Sequence, residues 1–219
     1  MKGLFITGTD TGIGKTVLSA ALLQRYRRVA PLRYWKPIQT GIEQDDDTAE
    51  VRRLGAADEA EILDVGIRLP RPVSPHLAAK WAGEPIDLQR LLCLPPTDDR
   101  TSWIVEGAGG VLVPVNDMHC MVDFIAMLGI PALIAARSSL GTINHTCLTV
   151  EALRTRSVTV AGVVLIGEPN ADNADAIEHY ARVPVIAQMP RFDPLTPESL
   201  AAWTAKSFDP EGSLCEFLK

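Results

Sequence analysis

Gly8-Thr9-Asp10-Thr11-Gly12-Ile13-Gly14-Lys15-Thr16 follows the apolar run Leu4-Phe5-Ile6 and precedes Val17-Leu18-Ser19-Ala20-Ala21-Leu22-Leu23. A short buried strand, a glycine-rich turn and a strong helix former are the context of a phosphate-binding loop. Glycines let successive backbone N–H groups converge on one point, and the helix N-terminus adds partial positive charge, so anionic phosphates are held there. In that pattern Lys15 reaches the terminal phosphates and the Thr16 hydroxyl binds magnesium. The loop is one residue longer than the usual pattern, because five residues separate Gly8 from Gly14.

Beyond the loop, apolar strands and helices alternate. A first helix is expected over 15–28, a strand over Leu32–Trp35 ending at Lys36-Pro37, and a loop over Ile38–Gln44. Asp47-Thr48-Ala49-Glu50 matches a capping box opening a helix that runs to Leu54. Residues 58–73 read as irregular; Ser74 and Pro75 start another helix as N-cap and first residue. A short helix over 88–92 and a polar turn over 95–100 lead to the strand Ser102–Val105, with Glu106-Gly107-Ala108-Gly109-Gly110 at its C-terminal end. Helices over 122–128, 142–154 and 171–180 then alternate with strands over 132–136, 158–165 and 185–186, and the tail from Phe192 reads as a surface wrap around one short helix. Near-continuous apolar strands in βα repetition indicate a parallel sheet covered on both faces. The expected fold is α/β, a P-loop NTPase-like three-layer sandwich with a mostly parallel central sheet, as one domain over 1–219.

A chain of 219 residues can bury a sizeable core. Hydrophobic residues make up 47% and charged residues 22%, an ordinary globular balance, and the net charge of −6 argues against a general nucleic-acid or anionic-membrane binder. Cys93, Cys120, Cys147 and Cys215 are widely spaced and the four histidines scattered, which suggests neither a zinc site nor a disulfide framework. The longest apolar stretch, Phe124 to Ala136, is broken by Gly129 and Pro131 and falls short of a membrane span. These features read as a cytoplasmic protein with free thiols.

Ligands of such sheets sit at the carboxyl ends of the strands. Four polar sites converge on that edge: the phosphate loop, Lys36 to Gly41, Asp47, and Glu106 to Gly110. Glu106 ends an apolar strand where nucleotide hydrolases carry an acidic residue for magnesium; otherwise it is an exposed strand-end carboxylate. Asp47 reads either as the N-cap of its helix or as a group facing a metal, with Asp45 and Asp46 beside it. Lys36, locked between a strand end and Pro37, is either a surface lysine or a second cation beside the phosphates. Thr40 and the turn at Gly41 would supply donors nearby. No histidine pairs with a serine or cysteine as a triad, and no general base stands out.

Together, G-T-D-T-G-I-G-K-T, K-P-I-Q-T-G, D-T-A-E, S-P-H-L-A-A, V-E-G-A-G-G and S-L-G-T-I-N-H resemble the dethiobiotin synthetase family over the first three quarters of the chain. The extra loop residue belongs to that family's pattern. The resemblance implies synthesis of dethiobiotin from 7,8-diaminononanoate, carbon dioxide and ATP with magnesium, by a homodimer whose active sites lie at the subunit interface. It also implies site residues. Gly12, Ile13, Gly14, Lys15, Thr16 and Val17 would hold the triphosphate, and Thr16, Asp47 and Glu106 the Mg2+. Lys36 resembles the family's essential lysine and would act with Lys15 around the carbamate and γ-phosphate. Thr11, Thr40 and the Gly107, Ala108 and Gly109 backbone would meet the diamine, and the partner's Leu140, Gly141 and Asn144 segment its carboxylate tail.

One departure concerns the base. An Asn-Asp pair often follows the strand equivalent to Gly162–Leu165, and Ile166-Gly167 stand there instead. Base contact would then fall to backbone around Gln188, Met189 and Pro190. Two other readings share the loop: an amide ligase of the cobyrinate type and a switch ATPase of the chromosome-partitioning class. The first normally carries a glutaminase domain, and the second an additional lysine early in the loop, where Thr9-Asp10-Thr11 stand here.

Overall fold

The computed structural model describes residues 1–96 and 100–219. In chain order the elements are β1 (Lys2–Gly8), α1 (Lys15–Tyr26), β2 (Leu32–Trp35), β3 (Ile38–Thr40), α2 (Asp47–Gly55), β4 (Ile62–Leu63), β5 (Ile67–Leu69), α3 (Pro75–Ala82) and α4 (Leu88–Leu92). They continue with β6 (Ser102–Gly110), α5 (Met121–Leu128), β7 (Ala132–Arg137), α6 (Thr142–Thr155), β8 (Val160–Ile166), α7 (Ala171–Ala181), β9 (Val185–Met189) and α8 (Pro197–Ser207). Seven strands form one sheet in the order β4-β2-β6-β1-β7-β8-β9, every pairing parallel.

Strand periodicity sorts the core onto two faces. Leu4, Ile6, Tyr34 and Ile104 point into one cluster with α1 and α8 residues such as Leu18, Leu22 and Leu200. Phe5, Trp35, Trp103 and Val105 point into the other, against Phe124 of α5, Leu153 of α6 and Ile177 of α7. Adjacent residues on one strand thus serve opposite layers, as a pleat requires. This is the expected three-layer α/β sandwich. No helix among the described residues is long and apolar enough to cross a membrane.

Several local expectations are corrected. The loop expected over 38–44 and the irregular stretch over 58–73 contain β3 and β5, which pair in parallel as a separate two-stranded sheet, and β4, which edges the main sheet. Two- and three-residue strands are too short to display a period. Glu106–Gly110 is not a turn after a strand but the end of β6, and Gly8 of β1 pairs with Gly110. Gly107 is needed there, because the Phe5 ring lies 2.7 Å from where a Cβ would stand. The first helix ends at Tyr26, two residues early, and the turn expected over 95–100 falls partly outside the described residues.

The tail is not a surface wrap. Leu200, Phe208, Leu214 and Leu218 are buried, and Ser102 Oγ donates to the Leu218 carbonyl at 2.8 Å. Asp209, also buried, fastens the tail by accepting from the Tyr26 hydroxyl, the Ser213 N–H and Oγ, and the Leu214 N–H. Burial alone would raise its pKa, but the Tyr26 hydroxyl and the Leu214 and Ser213 donors hold it below the usual carboxylate range. A depressed folded-state pKa gives stability that is fully present above the unfolded value of about 3.9 and is lost as pH falls through the folded value. Asp209→Ala is expected to lower unfolding stability by about 3 kcal/mol at neutral pH, and the deficit should shrink in acid. Urea melts at pH 7 and pH 3 check both statements.

Candidate active site

β1 ends at Gly8, and Thr9 N–H then bonds to the Ala135 carbonyl of β7 at 3.0 Å, so the loop leaves the sheet between its two neighbouring strands. Gly14 stands at φ 101° immediately before α1, a left-handed turn that exposes the first helical N–H groups. A Cβ on Gly14 would also meet Ile166 Cδ1 at 2.9 Å. Lys15 folds back over the loop, its ammonium 3.2 Å from the Asp10 carbonyl, and Asp10 pairs through its carboxylate with Arg137. The loop is therefore tied to the end of β7.

A cavity of about 500 Å³ opens above it. Of the expected residues, Thr11, Gly12, Ile13, Gly14, Lys15, Thr16, Lys36, Thr40, Asp47, Glu106, Ala108 and Gly109 line this one space. Gly107 lies just beneath, its carbonyl accepting from Lys36 Nζ at 3.0 Å. Val17, Gln188, Met189 and Pro190 do not line it; Val17 packs against the core, and Gln188 Oε1 accepts from Asn170 N–H at 2.7 Å. Leu140, Gly141 and Asn144 are exposed at the start of α6, outside the cavity wall.

Glu106 is fully buried and Lys36 is 2% exposed, so neither is a surface group. Glu106 accepts from Lys36 Nζ at 2.9 Å and Thr16 Oγ1 at 3.1 Å through one oxygen, and from Ser19 Oγ and Tyr34 Oη at 3.0 Å through the other. Lys36 also pairs with Asp47 Oδ2 at 2.6 Å, and Thr16 Oγ1 donates to Asp47 Oδ1 at 2.7 Å. The helix cap is Asp46, whose side chain accepts from Ala49 N–H at 3.0 Å. This corrects the capping reading of Asp47, because moving the cap back one residue releases Asp47 to face Lys36.

Charge in the site follows from these contacts. Burial lowers the pKa of Lys36, but Glu106 and Asp47 outweigh it and hold the ammonium above its ordinary value. Burial and then repulsion from Lys36 hold Lys15 below its ordinary value. Burial works upward on Asp47, but the Lys36 charge outweighs it and keeps the carboxyl below the usual range. Burial, with Glu106 next, pushes the Tyr34 hydroxyl well up, so it donates to the carboxylate as a neutral phenol. Two lysines thus flank a phosphate-shaped loop, a favourable field for transferring phosphate charge.

The donor set fits magnesium. A hydroxyl and two carboxylates converge through bonds of 2.7 and 3.1 Å, and that metal takes one or two protein carboxylates with phosphate oxygens and water. Among the described residues no three His, Cys, Asp or Glu side chains gather as a metal site.

Ser19 and Tyr34 were not legible as site residues. Ser19 lies one turn after Lys15, and Tyr34 shares its strand face with Lys36 by the two-residue period; either spacing could have indicated them.

Residues 2–199 match a family model described as an AAA domain. The chain is 45% identical over 208 residues to the ATP-dependent dethiobiotin synthetase BioD of Paramagnetospirillum magneticum, covering 95% of this chain and 97% of that one. It is 45% identical over 205 residues to the protein of the same name from Brucella melitensis biotype 2, covering 94% and 93%. Among solved structures, a ParA family ATPase from Chlorobium tepidum superposes with a TM-score of 0.58 over 99% of this chain and 97% of that one. Its 14% identity carries the fold alone.

Proposed function

The chain belongs to the ATP-dependent dethiobiotin synthetase family, and from that premise we propose that it closes the ureido ring of dethiobiotin, as one ligase domain over residues 1–219. The substrates of this reading are 7,8-diaminononanoate, carbon dioxide and ATP. The observation that carries it is Lys36, a second buried lysine beside the phosphate loop, which nucleotide binding alone would not require.

One amine of the diamine captures carbon dioxide as a carbamate. A carbamate oxygen attacks the γ-phosphorus, forming a carbamic–phosphoric anhydride and releasing ADP. The second amine attacks the carbonyl carbon, loses its proton, and expels phosphate as the ring closes. That step is intramolecular and gains an effective molarity of about 10⁵–10⁸ M, so the chain chiefly positions and neutralises. Gly12, Ile13, Gly14, Lys15, Thr16 and Val17 hold the triphosphate, while Lys15 and Lys36 face the carbamate and γ-phosphate. Thr11, Thr40 and the Gly107, Ala108 and Gly109 backbone contact the diamine. Thr16, Asp47 and Glu106 would hold magnesium, which supplies neutralisation of phosphate charge.

The reading includes a homodimer, with Leu140, Gly141 and Asn144 serving the partner's substrate tail. Leu140 is 99% exposed, and Leu112 and Leu148 stand out beside one surface groove with His145. Exposed apolar groups so placed favour a covered face.

At the base end, Ile166 and Met189 are the apolar neighbours of Gly14, and the Gln188 side-chain oxygen Oε1 already accepts from the Asn170 N–H. Backbone around Gln188, Met189 and Pro190 offers little discrimination. CTP and GTP are therefore expected to sustain turnover within about tenfold of ATP, a difference of roughly 1.4 kcal/mol; a wider preference for ATP would remove this assignment.

The test of the proposal is growth. The gene should rescue a bacterial strain lacking dethiobiotin synthetase on medium without biotin, whereas Lys36→Gln should not. Added dethiobiotin should restore the failing strain, and failure of the unaltered gene at normal expression would contradict the proposal.

A further inference from the structure

The two oxygens of Glu106 meet different surroundings. Oε1 accepts from the cavity residues Lys36 and Thr16, at 2.9 and 3.1 Å. Oε2 accepts from two fully buried residues, through Ser19 Oγ and Tyr34 Oη, each at 3.0 Å. The last torsion of a glutamate is broad, so the plane of its carboxylate is fixed only by the donors that hold it.

The two hydroxyls on Oε2 are not equivalent. Ser19 has a single O–H, and the Lys15 carbonyl one turn back lies 2.9 Å from its oxygen, so two acceptors share that proton. Tyr34 has Glu106 as its one side-chain hydrogen-bond partner among the described residues. The strands build this contact. Tyr34 of β2 stands opposite Ile104 of β6, so Glu106, two residues further on, lies on the same face within reach of the phenol. Lys36 follows Tyr34 by the same two-residue step. One strand therefore delivers the cation to Oε1 and a neutral donor to Oε2.

We infer that Tyr34 is a positioning residue of the metal–nucleotide site: its hydroxyl holds Glu106 Oε2 toward the core, presents Oε1 to Thr16 and Lys36, and so sets how tightly magnesium joins the bound nucleotide. This deepens the proposed function and rests on its assignment of Thr16, Asp47 and Glu106 to magnesium. Groups that orient a metal-holding side chain from behind govern about 10- to 100-fold in metal affinity.

The experiment uses the purified full chain and the variants Tyr34→Phe and Ser19→Ala. A fluorescent, non-hydrolysable ATP analogue is titrated in EDTA and at a series of magnesium concentrations. In Tyr34→Phe the magnesium midpoint of the metal-dependent gain in affinity is expected to rise by about 10- to 100-fold. Affinity in EDTA should stay within about twofold, because the phosphate loop is untouched. Ser19→Ala should move the midpoint less, since the Lys15 carbonyl already takes part of that proton. Excess magnesium should restore the turnover of Tyr34→Phe, which it would not do for damaged packing. An unchanged midpoint in Tyr34→Phe, with dethiobiotin made by the wild type, would overturn this inference and leave the proposed function standing. Equal weakening with and without magnesium, or a Tyr34→Phe chain unfolded by circular dichroism, would overturn it by giving the hydroxyl a structural role. A shift in Ser19→Ala as large as that in Tyr34→Phe would remove the role assigned to the tyrosine. Wild-type nucleotide binding indifferent to magnesium would overturn both the inference and the magnesium assignment. The expected shift in a protein that makes no dethiobiotin would support the inference and sink the ligase reading alone.

Discussion

Lys36→Gln is expected to lower turnover by about 10²–10³-fold, the range for removing one preorganised charge from a developing anion. Lys36 lies 2.6 Å from Asp47 and 2.9 Å from Glu106, and the glutamine amide is shorter and uncharged. Nucleotide binding should survive within a few-fold, because the loop glycines, Lys15 and Thr16 are untouched. Stability should fall as well, by about 3–5 kcal/mol, because the buried Glu106 and Asp47 lose their shared cation, although Glu106 keeps its bonds from Thr16, Ser19 and Tyr34. Steady-state rates with a fluorescent-nucleotide titration separate the two effects. Near-normal turnover would remove Lys36 from the chemistry.

Glu106→Gln is expected to act on both stability and activity. Four donors converge on Glu106, and a glutamine would bring its own NH₂ donor against two of them. It would also leave the Lys36 ammonium buried with Asp47 as its one remaining carboxylate. Breaking a buried ion pair costs about 3–5 kcal/mol. For a chain of this size that corresponds to a fall in Tm of about 6–20 °C. Turnover should drop by at least about 10²-fold, and the magnesium dependence of nucleotide binding should weaken, which a merely structural carboxylate would not produce. Thermal melts and nucleotide titrations with and without magnesium measure both. An unchanged melt would contradict the buried network.

The contrast between these variants reflects what could be read in the sequence. The phosphate loop, α1 and the strand ends carrying Lys36 and Glu106 were legible, because a glycine-rich turn between an apolar strand and a helix has few alternative uses. The roles of Lys36 and Glu106 stayed open there, since burial decides them and burial is a property of the assembled sheet. Tyr34 and Ser19 read as strand and helix residues; their spacing from Lys36 and Lys15 marks the face each lies on, and β6 then places Glu106 between their hydroxyls. Asp45, Asp46 and Asp47 were indistinguishable as a run, because a one-residue shift in the helix cap exchanges the roles of Asp46 and Asp47. The pairing of β3 with β5 was hidden by their length, and the buried tail by its prolines at 194, 197 and 210, which suggest a surface path.

The most direct test of the account mixes the purified protein with 7,8-diaminononanoate, ¹³C-bicarbonate, magnesium and ATP, and follows dethiobiotin and phosphate together. The account predicts equal amounts of phosphate and dethiobiotin, both dependent on the diamine, with the label in the ureido carbonyl. Phosphate release without dethiobiotin, indifferent to the diamine, would contradict it and leave a nucleotide hydrolase on the same loop.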